Sequence, residues 1–472
     1  MDETSQPIDL LLSVTRDGPQ TLGAQIEDQL RRGVREGSFH PGARLPSTRD
    51  LARQLGVSRR VVVDAYAQLA AEGYLALRQG AQPRISESAA AAAGDQAEAP
   101  RPQPRIRFDF RPSVPDVSTF PRAAWLRSMR HALATMTDAD LGYGDISGAD
   151  VLRSVLAEYL GRVRGVVADP ARVVVTSGYS QGLGVVCHAL AASGAKRLAL
   201  EDPTDPDQAD IAARAGLEPV WIPVDEAGIR VDELARTNAD AVIVTPAHQH
   251  PNGVVLAPER RTALVAWLRE RGAIAIEDDY DAEYRYDRAA VGAFQGLEPE
   301  HIVYAGTASK TLAPALRLGW LVVPAAMLEG VKREKMLADR GTAGVEQHAF
   351  ADFLARGELD RHLRRMRARY RRQRDAIIEA LADELPDATV RGVAAGLHVS
   401  VELLDGDDEH AIRTEAERRR IALEITGDYT PDAGGRRATL MLGYAQIPEA
   451  SIRAGVGEVA AAVRAARDSS AD

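Results

Sequence analysis

"GTASKTLAPALRLGW", residues 306 to 320, leaves one β-branched apolar run, "HIVYAG", and enters another, "RLGWLVV". Between them stands Lys310, with hydroxyls at Thr307 and Ser309 and a guanidinium one or two turns on at Arg317. A lysine followed by a hydroxyl residue invites comparison with a nucleotide phosphate loop. The glycine directly before the lysine and the earlier glycine of that motif are both missing, which argues against a nucleotide cradle. A lysine so placed can instead capture an aldehyde as a Schiff base, and Arg317 with the two hydroxyls suits a phosphate on the same molecule.

Two further stretches carry complementary groups. "IEDDYD", residues 276 to 281, ends an apolar run with Asp278 and Tyr280. A carboxylate against a pyridine nitrogen keeps that nitrogen protonated, which turns the ring into an electron sink, and a phenol can hold the ring's 3′ oxygen. "TSGYSQG", residues 176 to 182, is a strand-to-helix turn whose backbone donors and Ser180 can cap a phosphate. Taken one at a time, Lys310 reads as a surface lysine, Asp278 as a helix cap and Tyr280 as a core ring. Taken together, at successive strand ends, they point to pyridoxal 5′-phosphate.

The runs "RVVVTSG", "RLALEDP", "AVIVTPA", "AIAIEDD", "HIVYAG" and "RLGWLVV" alternate with helical stretches. Their continuous apolar character marks strands buried on both faces, hence a mostly parallel sheet covered by helices. Ligands in such sheets sit beyond the strand C-terminal ends, where all of these motifs fall. Near the C-terminus, "GLHVSVEL" and "ATLMLGYA" around a helix read as a smaller α+β domain.

The N-terminal part is built differently. Ile26, Leu30 and Val34 recur at helical spacing, and Gly37 ends that helix. "LPSTRDLARQLG" opens at a Ser47 cap and closes at Gly56. "VSRRVVVDAYAQLAAEG" opens at Ser58, places Val62, Ala65, Tyr66 and Leu69 on one face, and stops at Gly73. Followed by the hairpin-like "YLALRQGAQPRIS", this pattern predicts a winged helix-turn-helix. Ser58, Arg59 and Arg60 fall in the first turn of the second helix, where a recognition helix meets base edges. Arg49 and Arg44 are placed to grip the phosphate backbone. The plainer reading is a small helical domain with a solvated arginine face.

The sequence divides accordingly into a leader (1–20), the winged helix (21–86), a linker (87–106) and the body (107–472). Within the linker, "SAAAAAGDQAEAPRPQPR" is too rich in small residues and proline to bury a core. Net charge is −10, yet Thr21 to Ile85 hold ten Arg against six Asp and Glu, a local +4 that leaves −14 for the remainder. A basic module on an acidic body is the expected organisation. Cys187 is the sole cysteine, the N-terminus lacks a signal peptide, and no apolar stretch is long enough to span a membrane, so a cytoplasmic protein is expected.

"GARLPSTRDLARQLGVSRRVVVDAYAQLAAEGYL" resembles the winged helix of the GntR regulators. That resemblance implies that Arg49, Ser58, Arg59, Arg60 and the wing glycine, Gly80, face DNA. It departs at Val61, where many members carry a threonine. "TSGYSQGL", "EDP", "TPAHQHPNG", "IEDDYDAEYRYD" and "GTASKTLAPALRLGW" resemble fold-type I aminotransferases in the version found in the MocR regulators. The resemblance implies Lys310 as the Schiff-base lysine, Asp278 on the pyridine nitrogen and Tyr280 on the 3′ oxygen. It further implies a phosphate site of Thr307, Arg317, Gly178, Tyr179 and Ser180, joined by Tyr143 of the partner subunit in a domain-swapped homodimer. The expected chain is thus a multidomain α/β protein, a winged helix followed by a fold-type I body. Its expected partners are operator DNA and a small-molecule effector: pyridoxal phosphate itself, an amino acid or an amine. No metal is expected.

Two departures separate it from a working aminotransferase. Members of the group carry a tyrosine in "EDPGYPG", where the aminotransferases stack an aromatic on the ring; this chain has Asp205 in "EDPTDPD". Aminotransferases acting on α-amino acids carry an arginine in "LRLGFA" to fork the substrate carboxylate; this chain has Met441 in "LMLGYA". Arg436 and Arg437 lie near it in the chain. The alternatives are an active aminotransferase with an appended DNA module, and a regulator whose body never binds cofactor. The basic run "RHLRRMRARYRRQRD", residues 361 to 375, reads as a solvated helix face, with a second DNA-contacting surface as its alternative.

Overall fold

A computed structural model of the chain describes residues 12–87, 105–286, 291–432 and 436–470. Most of the expected linker, and the leader as far as residue 11, lie outside the described residues. Two compact units emerge, one ending at Gln103 and the other beginning at Pro104.

In the first unit, α1 (Leu22–Arg35), α2 (Thr48–Leu55) and α3 (Arg59–Ala71) close on a core of Ile26, Leu30, Val34, Leu51, Val62, Tyr66 and Leu69. The Ser47 side chain accepts from the Asp50 backbone N–H and so starts α2, while Gly56, at φ +63°, ends it in the left-handed conformation that a side chain resists. Arg31 of α1 reaches Glu72 just beyond α3 at 2.7 Å and ties the two helices together. The wing is a short antiparallel pair, β1 (Leu75–Ala76) with β2 (Arg84–Ile85), and Arg44 adds a single bridge to Arg84.

The body opens with β3 (Phe108–Asp109), α4 (Arg122–Thr135) and α5 (Asp150–Arg164). Its main sheet holds β4 (Val173–Thr176), β5 (Arg197–Asp202), β6 (Glu218–Asp225), β7 (Gly228–Ile229), β8 (Ala241–Val244), β9 (Ile274–Asp279), β10 (Ile302–Thr307) and β11 (Gly319–Val322). Their order is β4-β11-β10-β9-β8-β5-β6-β7, with β11 antiparallel to both neighbours and β10, β9, β8, β5 and β6 running parallel. Successive strand residues face opposite sides. Ala241 and Ile243 pack with α6 (Tyr179–Ala192) and α7 (Pro206–Arg214), whereas Val242 and Val244 pack under Leu264, Trp267 and Leu268 of the helix Pro258–Arg271. Cys187 lies fully buried in α6, within the first of these layers.

A second sheet, near the C-terminus, contains β12 (Thr389–Arg391), β13 (His398–Glu402), β15 (Glu424–Ile425) and β16 (Thr439–Gly443), all antiparallel. A separate strand, β14 (Ile421–Ala422), pairs with β3, so the start of the body is stitched to its end. Buried Arg164, closing α5, donates to Asp279 of β9 at 2.7 and 3.0 Å, and the Tyr304 hydroxyl donates to the same carboxylate. That ion pair ties the end of α5 to the end of β9.

Candidate functional site

The C-terminal ends of β4, β5, β8, β9 and β10 converge on a cavity of about 230 Å3. Tyr179, Ser180, Asp278, Tyr280, Thr307, Ser309, Lys310 and Arg317, each singled out from the sequence, line it together with Asp205. Gly178 does not itself line the cavity but lies against Arg317: φ is +88°, and a β-carbon there would stand 2.7 Å from Arg317 Nη2. Only glycine lets the guanidinium lie across this turn. Arg317 Nη2 donates to the Ser177 carbonyl at 2.7 Å, and Arg317 is itself left-handed at φ +49°. Thr307 Oγ1 donates to Ser309 Oγ at 3.0 Å and accepts from the Ser309 N–H at 3.1 Å. A guanidinium, two hydroxyls and the first turn of α6 thus gather at one end of the cavity, a donor set suited to phosphate.

Around Lys310 the field is acidic. Burial lowers its pKa despite the opposing pull of Asp278, Asp281, Asp205 and Glu424. A lysine lowered in this way offers a larger share of neutral, nucleophilic amine. Burial raises Asp278 well above the usual carboxylate range, and Asp205 pushes it further. Asp278 Oδ1 is buried with no hydrogen-bond partner among the described residues. A buried, unpaired carboxylate oxygen is costly, and a protonated ring nitrogen is the kind of partner that would relieve it. The donor set and this orphaned oxygen both fit pyridoxal 5′-phosphate.

Tyr280 is buried, and its hydroxyl lies 3.1 Å from His248 Nδ1, which in turn lies 3.0 Å from Asp281 Oδ2. The phenol is therefore held in place by a histidine that an aspartate orients. Several lining residues were not singled out from the sequence: Ser113, Thr204, Gln208, Thr245, His250 and Pro314. Ser113 arrives from the segment before α4 in a left-handed conformation, φ +59°. Thr204 donates to Gln208 Oε1 and Gln208 Nε2 to the Tyr179 hydroxyl, which bonds Asp278. Tyr179 thus works at the carboxylate as well as at the turn expected to cap phosphate. Gln208 lies in the first turn of α7, four residues after Thr204.

Tyr143 is absent from the lining of its own chain's cavity and stands 86% exposed. Met441 is fully buried in β16, its sulfur 3.4 Å from the Ser400 hydroxyl. Arg436 pairs with Asp202 at 2.7 Å, and Arg437 with Glu402 at 3.1 Å and Asp405; neither lines the cavity.

In the first unit, Ser58, Arg59 and Arg60 are exposed at the start of α3. Arg59 reaches back to the Thr48 hydroxyl at 3.4 Å and Arg60 lies 3.8 Å from Asp64, both loose contacts that leave the side chains available. Arg49 is exposed at the start of α2, and Gly80 is exposed in the wing turn at φ +77°. Arg44 is half-buried, its Nε enclosed beneath the wing.

The fold and cavity define a protein that couples a DNA-binding module to an aminotransferase-type body. Residues 22–82 match the model of the bacterial regulatory proteins of the gntR family, and residues 115–418 match aminotransferase class I and II. The chain is 32% identical to the HTH-type pyridoxine biosynthesis transcriptional regulator PdxR of Corynebacterium glutamicum, over 96% of this chain and 99% of that protein. It is 30% identical to the probable rhizopine catabolism regulatory protein MocR of Rhizobium meliloti, over 98% and 97%. Among solved structures, Pyrococcus horikoshii kynurenine aminotransferase shares the fold, with a TM-score of 0.70 at 24% identity over 77% of this chain and 91% of that one. This chain belongs to the MocR-type GntR transcriptional regulators, which carry an aminotransferase class I and II domain behind a DNA-binding helix-turn-helix. Among the described residues no helix is long and apolar enough to cross a membrane.

Proposed function

We propose that this regulator binds operator DNA as a homodimer in the cytoplasm, and that its body holds pyridoxal 5′-phosphate as a sensor rather than as a working enzyme. The observation that carries the reading is the meeting of Lys310 and the orphaned Asp278 oxygen in one strand-end cavity. Lys310 captures the aldehyde, Asp278 faces the ring nitrogen and Tyr280 the 3′ oxygen. Thr307, Ser309, Arg317 and the Gly178–Ser180 turn take the phosphate, helped by Tyr143 of the partner subunit. When bound, the cofactor supplies an electrophilic carbon and an electron-withdrawing ring. Transamination would also need a substrate carboxylate pinned so that the Cα–H bond stands perpendicular to the ring. Met441 offers no pin, and Asp205 replaces the stacking aromatic with a charge.

On the DNA side, Ser58, Arg59 and Arg60 read base edges while Arg44, Arg49 and the Gly80 wing follow the backbone. Loading of the pocket changes operator affinity, with pyridoxal phosphate as the signal; control of pyridoxine synthesis, named for the Corynebacterium relative, suits such a signal.

The purified protein is expected to show the visible absorbance of a Schiff base with pyridoxal phosphate, and Lys310→Ala to lose it while remaining folded. Titrations of the operator with cofactor-free and loaded protein should then differ. Equal affinities would sink the sensor role, and rapid turnover of an amino acid with a keto acid acceptor would restore the enzyme reading.

A further inference from the structure

We propose that Asp205 makes this pocket a charge filter, admitting ligands that bring a positive amine and no carboxylate, hence amines and diamines rather than α-amino acids. The inference rests on the pyridoxal phosphate reading given above and deepens it.

The argument begins with the charges that border the cavity. Its two cations are Lys310 and Arg317, and its two carboxylates are Asp205 and Asp278. Arg317 is turned to the Ser177 carbonyl at the phosphate end, and Lys310 is the group that captures the aldehyde. Asp278, nine-tenths buried with its free oxygen, awaits the ring nitrogen. Asp205 is left over. It caps α7 by accepting from the Asp207 N–H at 3.0 Å, which fixes its carboxylate at the cavity edge.

Asp205 has acidic company from the second sheet. Glu424, held by the Tyr429 hydroxyl, lies within its electrostatic reach. Tyr429 is locked against this corner, since its carbonyl accepts from the Thr204 N–H at 2.9 Å and its ring meets His250 edge-on at 5.0 Å. His250 borders the cavity, but burial, together with His398 and Lys310, keeps its ring neutral, so it supplies no positive charge. Among the described residues, the arginines nearby are paired: Arg436 with Asp202, Arg437 with Glu402 and Asp405, and Arg111 with Asp109, from where it also acts on Glu424.

A ligand entering as an amine therefore meets acceptors and negative charge. One carrying an α-carboxylate brings a like charge toward Asp205 and Glu424, with no arginine besides Arg317, at the phosphate end, lining the cavity among the described residues of the same chain to fork it. In a partly buried site, one such contact separates affinities by tenfold or more.

The test uses the full-length protein loaded with pyridoxal phosphate, and follows its visible spectrum during titration with cadaverine against L-lysine and putrescine against L-ornithine. Each pair differs by one carboxylate. Half-saturation by the diamine is expected at a concentration at least tenfold lower than by its amino acid. Asp205→Asn keeps a capping side chain for α7 and removes the charge, and is expected to shrink that ratio severalfold. Comparing ratios between the two proteins cancels the different intrinsic reactivities of the amines. Equal or tighter binding of the amino acids, a ratio unmoved by Asp205→Asn, or a spectrum that neither ligand changes would overturn the filter. A protein that stays colourless before any amine is added would instead overturn the cofactor reading beneath it.

Discussion

Glu201, fully enclosed at the end of β5, accepts from the Thr245 N–H at 3.2 Å, from the Thr245 hydroxyl and from Gln249. Burial nevertheless pushes its pKa up to about 7 from 4.5. A carboxyl whose folded value is raised binds its proton more tightly in the folded chain than in the unfolded one. Its contribution to stability is complete below pH 4.5 and is lost as pH climbs through about 7. Ionising this one group costs up to about 3 kcal/mol. Glu201→Gln should flatten the decline in urea-unfolding free energy across that window, and an unchanged slope would show that other groups set it.

At the scale of elements, α3 and the α5–β9 pairing carry the clearest expectations. If Arg59 or Arg60 forks a base, its replacement by alanine should cost about 1–3 kcal/mol of operator binding and relax specificity at that position. Gel-shift titrations against operator variants measure both effects. Arg164→Met would leave Asp279 as an unpaired buried charge, for which about 3–5 kcal/mol of stability is the usual loss. A smaller loss in denaturant titrations would mean that Tyr304 and water suffice for Asp279. Much of this was legible in the sequence. Ser47, Gly56 and Gly73 mark helix ends by local chemistry, and six of the main-sheet strands are continuous apolar runs. β6, "EPVWIPVD", escaped notice because Pro219 and Pro223 interrupt it and it is only half-buried. At the site, the groups on strand ends were readable because each motif is contiguous. Ser113, Thr204 and His250 were not, since only tertiary folding brings their loops to the same cavity.

For the whole molecule, the local +4 of the DNA-binding unit against −14 elsewhere makes operator affinity a strong function of salt. Arg49→Ala should weaken binding to all sequences alike and reduce the slope of log affinity against log salt by about one. A change confined to one operator position would place Arg49 on a base instead. Cys187 offers a different opportunity. Burial pushes its thiol up to about 12, and it faces the core on the buried side of α6. A native chain should therefore ignore thiol reagents, so a single engineered surface cysteine could carry a fluorophore or spin label without competition. Pairs of such labels, one on each unit, would turn the distance between DNA reader and pocket into a direct spectroscopic readout as ligand is added.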